Sequence, residues 1–165
     1  MELKPGVITL AMYKGKGQLF NAAIRVWTGS EFSHCELVMP DGRWLSASAM
    51  DGGVRAKRID YKPEHWLLIP VPWANTRTIE AVFENHEGKG YDWLGIALAQ
   101  FLPLGIDSKR RMFCSEFCAD ALGFHGAGKR FSPILLAETV GRINRLPAVR
   151  LAHPLNEGHP DATYA

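Results

Sequence analysis

The chain is short of most features that announce a function outright. It has three cysteines, an odd number, which excludes a complete disulfide framework. None of them forms a Cys-x-x-Cys pair, so a zinc site built from His34, Cys114 and Cys118 lacks the spacing such sites use, and no metal or cofactor is expected. Nineteen Lys and Arg stand against 17 Asp and Glu, a formal charge of +2, so no field of one sign speaks for nucleic acid, and none is expected as a partner. No apolar run approaches the ~18 residues of a membrane span, so no integral membrane segment is expected. Met1-Glu2-Leu3-Lys4-Pro5-Gly6 is not followed by an apolar signal region, which makes the cytoplasm the default location. Lys14-Gly15-Lys16-Gly17 lacks the second glycine and Lys-Ser/Thr ending of a phosphate-binding loop. Repeats and low-complexity tracts are absent too. What remains, 47% hydrophobic and 22% charged, suits one globular domain over residues 1–152 and a mobile tail over 153–165.

Two stretches carry chemistry. In Arg111-Met112-Phe113-Cys114-Ser115-Glu116-Phe117-Cys118-Ala119-Asp120-Ala121-Leu122, Phe113, Phe117, Ala121 and Phe124 recur at helical spacing. Cys114 falls in the first turn, where unpaired N–H groups and the helix dipole favour an anion. With Lys109, Arg110 and Arg111 just upstream, this setting predicts a depressed thiol pKa and a reactive thiolate. The plainer alternative is a buried small hydrophobe.

The second stretch, residues 33–49, reads as a β-hairpin. Pro40-Asp41-Gly42 is a three-residue turn: proline fixes φ, aspartate caps, and glycine takes the left-handed position. That register pairs Met39 with Arg43, Glu36 with Ser46 and His34 with Ser48. One face carries His34, Glu36, Val38, Trp44, Ser46 and Ser48, and the other Cys35, Leu37, Met39, Leu45 and Ala47, which reads as core. His34, with a carboxylate and hydroxyls on its face, is either a surface histidine or a general base.

A histidine-bearing hairpin ending in Ser46-Ala47-Ser48-Ala49-Met50-Asp51-Gly52-Gly53-Val54 resembles that of the NlpC-type papain-like cysteine peptidases. Here the histidine precedes the cysteine helix, an order similar to the circularly permuted, YiiX-like amidases. Pro5 to Leu10, Gly90-Tyr91-Asp92 and Ser132-Pro133 fit the same pattern, so the resemblance spans about residues 5 to 140. It implies an α+β, permuted papain-like fold in which an antiparallel sheet or barrel packs against helices. It implies Cys114 as nucleophile, His34 as base, and Ser46 at the family's third polar position, with Glu36 opposite Ser46 as a source of the charge that a hydroxyl lacks. The implied activity is that of a cysteine-dependent amidase or peptidase, with cell-wall peptides as one substrate class.

The rest of the chain reads as strands over Val7 to Leu10, Val54 to Ile59 and His65 to Val71, the last apolar enough to be buried on both faces. Helices are expected over Gln18 to Trp27, from an Asn75 or Thr76 cap to Glu87, over Tyr91 to Leu102, and from a Ser132 cap through Val140; Ala148 to Ala152 reads as an edge strand. Basic groups at Lys14/Lys16, Arg55/Lys57/Arg58, Lys109/Arg110/Arg111 and Lys129/Arg130 make a solvated surface or, around the cysteine, a rim for an anionic substrate. The amide of Cys114 is expected to contribute to an oxyanion hole, with Tyr13 and Tyr91 as candidate second donors. Two alternatives stay open: acyl transfer or ester cleavage on lipids, for which the apolar 91–102 stretch speaks, and a non-catalytic binding module, for which Ser46 in place of a charged residue speaks.

Overall fold

The computed structural model describes residues 3–15, 31–48, 50–91, 111–125 and 131–146. The helix expected over Gln18 to Trp27, the Ala148 to Ala152 strand and the tail lie outside these residues, as does the helix expected after Tyr91.

Within them the chain is α+β. The strands are β1 (Thr9–Tyr13), β2 (His34–Val38), β3 (Trp44–Ser48), β4 (Gly53–Lys57), β5 (Trp66–Pro70), β6 (Gly90–Tyr91) and β7 (Arg111–Met112); the helices are α1 (Thr76–His86), α2 (Cys114–Ala121) and α3 (Pro133–Ile143). The five longer strands pair antiparallel in the order β5-β1-β2-β3-β4. The short β6 extends the sheet beyond β4, and β7 runs parallel to β6. Tyr91 thus belongs to a strand rather than opening a helix.

The hairpin turn has the expected register. Val38 faces Trp44 and Leu37 faces Leu45. The Met39 N–H donates to the Arg43 carbonyl at 2.8 Å, and Gly42 sits at φ 85°, where a side chain would be strained. Beyond Leu37 and Leu45 the ladder between these two strands ends, so His34 has no backbone partner on β3; its register partner is Tyr13 on β1. A second tight passage follows at Gly53, where an added Cβ would stand 2.0 Å from the Lys89 carbonyl oxygen; only glycine lets β4 and the approach to β6 come this close.

The alternation of β2 and β3 sorts their side chains as the pattern requires. Cys35, Leu37, Met39, Leu45 and Ala47 join Leu10, Met12, Ile79, Phe83, Phe117, Leu136 and Val140 in the main core under the helices. The opposite face is not simply solvated: Val38 and Trp44 form a smaller cluster there with Ala11 and Leu68, flanked by Tyr61 and Trp66. β5 departs from expectation. It is the outermost strand beside β1, so Leu67 stays 38% exposed and the strand is not covered on both faces.

Helix ends follow their capping residues. Asn75 Oδ1 accepts from Arg77 and Thr78, Ser132 accepts from Leu135, and Pro133 opens α3. α1 buries Ile79 and Phe83 and is tied to the hairpin turn by Arg43, which bonds both Asp41 and Glu80. α2 begins directly after β7, with Cys114 as its first residue, and packs on β2 and β3.

Candidate active site

The start of β2 and the start of α2 meet at three side chains. His34 opens β2, Glu36 follows two residues later on the same face, and Cys114 opens α2. His34 Nε2 lies 3.2 Å from Glu36 Oε1. A carboxylate only accepts, so Nε2 carries the proton of this bond, which leaves Nδ1 as the nitrogen for another partner. The Cys114 thiol lies within hydrogen-bond reach of the same imidazole. His34 is 20% exposed at its side chain and Cys114 5% exposed overall, so the pair sits just below the surface.

Ser46 is placed differently from what the resemblance implies. Its hydroxyl donates to the backbone carbonyl of Cys35 at 2.7 Å, and the partner of His34 is Glu36. The reason is the end of the β2–β3 ladder. With no further backbone bond between the strands, the Cys35 carbonyl takes the adjacent hydroxyl.

Glu36 is almost fully buried, and Arg55 on β4 makes that burial tolerable. Arg55 Nη1 and Nη2 donate to the two Glu36 oxygens at 2.7 and 2.9 Å, a fork-to-fork pairing. Ser46 faces Arg55 in the β3–β4 ladder, and the Arg55 side chain reaches across β3 to Glu36 on β2, so the three form a polar row over three strands. A small residue in the middle lets the long guanidinium stem cross it. On its other edge Arg55 Nε donates to Asp51 Oδ2 at 2.7 Å, and Asp51 also accepts from Lys57. Arg55, expected with Lys57 and Arg58 as solvated surface, is only 14% exposed. The signal in the sequence was its place opposite Ser46, one strand beyond Glu36; reading it required the β3–β4 register.

These contacts set the proton affinities. Burial works against a charged imidazole, but the Cys114 sulfur, once ionised, and the Glu36 carboxylate outweigh it and raise His34, so a proton leaving Cys114 is held on the imidazole. Burial also works against a charged Glu36, yet the hydrogen bonds from Arg55 and His34 lower it to about 2. Cys114 goes the opposite way from the sequence expectation. The Cys35 thiol beside it and its burial push Cys114 well above the ordinary thiol range, and only His34 pulls it down. A helix start acts over one turn and is outweighed here by a neighbouring thiol and the loss of water. Cys35 is in the core as expected, but its thiol touches both Cys114 and Cys118, so three free thiols form one buried group. Among the described residues no group of three His, Cys, Asp or Glu side chains is arranged to hold a metal ion.

The other sequence candidates make contacts of their own or lie outside the described residues. The Tyr13 ring packs edge-on against Trp66 with centroids 4.9 Å apart, and the Tyr91 side chain, Lys109 and Arg110 lie outside the described residues. Of the other histidines, His125 bonds Asp120 and His86 bonds the Val82 carbonyl. No helix among the described residues is long and apolar enough to cross a membrane. Comparison with known proteins adds no relative: no protein-family model, curated protein or solved structure matches the chain.

Proposed function

We propose that the protein is a cysteine-dependent hydrolase of amide bonds with a permuted papain-like, NlpC-type fold. The observation that carries the reading is the single cluster in which a helix-start thiol, an imidazole and a buried carboxylate stand in line. In this reading His34 Nδ1 takes the proton of Cys114 and the sulfur attacks the substrate carbonyl. The oxyanion is met by the first N–H groups of α2, the imidazolium returns its proton to the leaving amine, and water cleaves the thioester with His34 again as base. Glu36 keeps Nε2–H in place and stabilises the imidazolium, the role the resemblance gave to Ser46. A peptide-type amide such as that of a cell-wall peptide is the favoured substrate class.

The test is release of amino groups from peptidoglycan fragments, with site mapping of an alkyne-tagged iodoacetamide. Wild type should release amines and label at Cys114, and Cys114→Ala should do neither. Turnover of phospholipid or acyl-thioester substrates without any on peptides moves the protein to thiol acyl chemistry on lipids.

A second reading is a binding module that keeps the fold without turnover. The observation favouring it is Cys114 itself, 5% exposed and held toward its protonated form by Cys35. Failure of every acyl donor tried to form a thioester on Cys114 would favour it.

A further inference from the structure

The geometry points to Arg55 as a positioning residue of this site, which fixes Glu36 by its fork and shares the carboxylate charge that would otherwise fall entirely on His34. The inference rests on the proposed Cys114–His34–Glu36 reading for its catalytic meaning, but not for its physical content. Five contacts carry it. Both Glu36 oxygens accept from Arg55, at 2.7 and 2.9 Å, and Oε1 is the same atom that meets His34 Nε2 at 3.2 Å. Arg55 Nη1 also lies 3.3 Å from the Trp44 carbonyl, and Nε lies 2.7 Å from Asp51. The guanidinium is therefore held on three sides and cannot turn without breaking the fork.

A carboxylate on a strand can rotate about its terminal bond and offer its charge in many directions. With both oxygens engaged by a planar fork, its plane is set and the direction of Oε1 toward His34 follows. The fork also divides the charge. The His34–Glu36 pair alone would hold a proton on the imidazole very tightly. A guanidinium bonded to the same carboxylate weakens that hold, which lets the imidazole accept and return a proton. Asp51 and Lys57 sit behind Arg55 as a second anion and cation, so the row runs from the surface to the thiol with alternating sign. Among the described residues, the titratable groups facing His34 are Cys114 from α2, Glu36 from its own strand, and, through Glu36, Arg55 from β4; Tyr13 is its register neighbour on β1.

The experiment is an NMR titration of the His34 ring in the full chain carrying Cys114→Ala, which removes the sulfur that also acts on the imidazole. Arg55→Met, Arg55→Gln and Arg55→Lys are compared with the unaltered residue, each after its thermal unfolding shows a folded protein. Arg55→Met should raise the His34 midpoint by about one pH unit, because a cation next to its carboxylate partner is lost. Arg55→Lys, which keeps the charge without the fork, should restore the midpoint to within a few tenths. Arg55→Gln supplies the same reading as Met if the apolar variant does not fold. An ion pair that only braces the sheet leaves the midpoint where it was, and an unchanged or lowered midpoint in folded Arg55→Met or Arg55→Gln overturns the inference. These variants carry no nucleophile, so the result stands apart from whether the wild-type protein turns over peptidoglycan fragments.

Discussion

The two faces of the same three strands differ in what holds them. On the helix-covered face, Leu37 and Leu45 from β2 and β3 are fully buried among apolar side chains. One residue away in sequence, on the other face, Glu36, Ser46 and Arg55 form a row of polar groups almost as deeply buried. The apolar face is non-directional and tolerates neighbours of roughly the right size. The polar row works only if each member finds its partner, since an unpaired buried charge is far more costly than a small cavity. The same strands thus provide bulk stability on one side and one defined geometry on the other, and it is the second side that reaches His34.

Breaking the polar row should have the largest effect. Glu36→Gln leaves Arg55 without its buried anion, and removal of one partner of such a pair costs on the order of 3–5 kcal/mol. Denaturant unfolding should show this loss together with a fall in any amidase activity. The intact protein should show its counterpart in acid. Glu36 is lowered to about 2 in the fold against 4.5 when unfolded, so its contribution is present above about 4.5 and is lost as pH falls through about 2. That difference corresponds to about 3 kcal/mol. Glu36→Gln should flatten this part of the pH–stability curve. A variant whose acid limb matches that of wild type would show that Glu36 is not the carboxylate responsible.

The apolar face should respond differently. Leu45→Ala, in the fully buried core, should lower stability by about 2–5 kcal/mol while leaving the shape of the acid limb unchanged. A change in the pH dependence would mean that the two faces are coupled through the strand and that their separation is wrong.

A smaller effect distinguishes the thiols. Cys35 is the foremost cause raising Cys114, so Cys35→Ala should shift the pH dependence of Cys114 alkylation to lower pH, at a cost of about 1 kcal/mol for the small void. In the unaltered protein the rate should climb through the alkaline range rather than level off near neutrality, because the thiol holds its proton. A plateau at neutral pH, or no shift in Cys35→Ala, refutes the role given to Cys35.

How much of this was legible in the sequence follows from what each feature depends on. The hairpin register rested on Pro40-Asp41-Gly42 and on strict alternation, both local, and Val38↔Trp44 and Leu37↔Leu45 agree with it. The caps at Asn75 and Ser132 are equally local. Alternation places Glu36 on the face of His34 but says nothing of their distance: residues two apart on a strand are separated by about 6.8 Å along the chain, and only the side-chain directions bring Nε2 and Oε1 together. Arg55 depended on a second register, that of β3 with β4. The direction of the Cys114 shift depended on Cys35, which alternation correctly turned toward the core without showing that the first turn of α2 would rest on it.

Ser46 provides the smallest effect and the finest test, because the resemblance and the geometry assign it different work. If it orients His34, its loss lowers turnover and a glutamate in its place restores or raises it. In the structure the hydroxyl instead bonds the Cys35 carbonyl, and its small size leaves room for Arg55 to cross toward Glu36. Ser46→Ala should therefore remove one hydrogen bond, worth about 1 kcal/mol, and leave the His34 titration in place. Ser46→Glu should do more harm than Ser46→Ala. It sets a second carboxylate between Glu36 and Arg55, competes for the same fork, and brings two anions together in a buried row. Unfolding and His34 titration of the two variants decide the matter. A glutamate variant at least as stable as the alanine one, with the Arg55–Glu36 pair intact, would return Ser46 to the role of third polar residue.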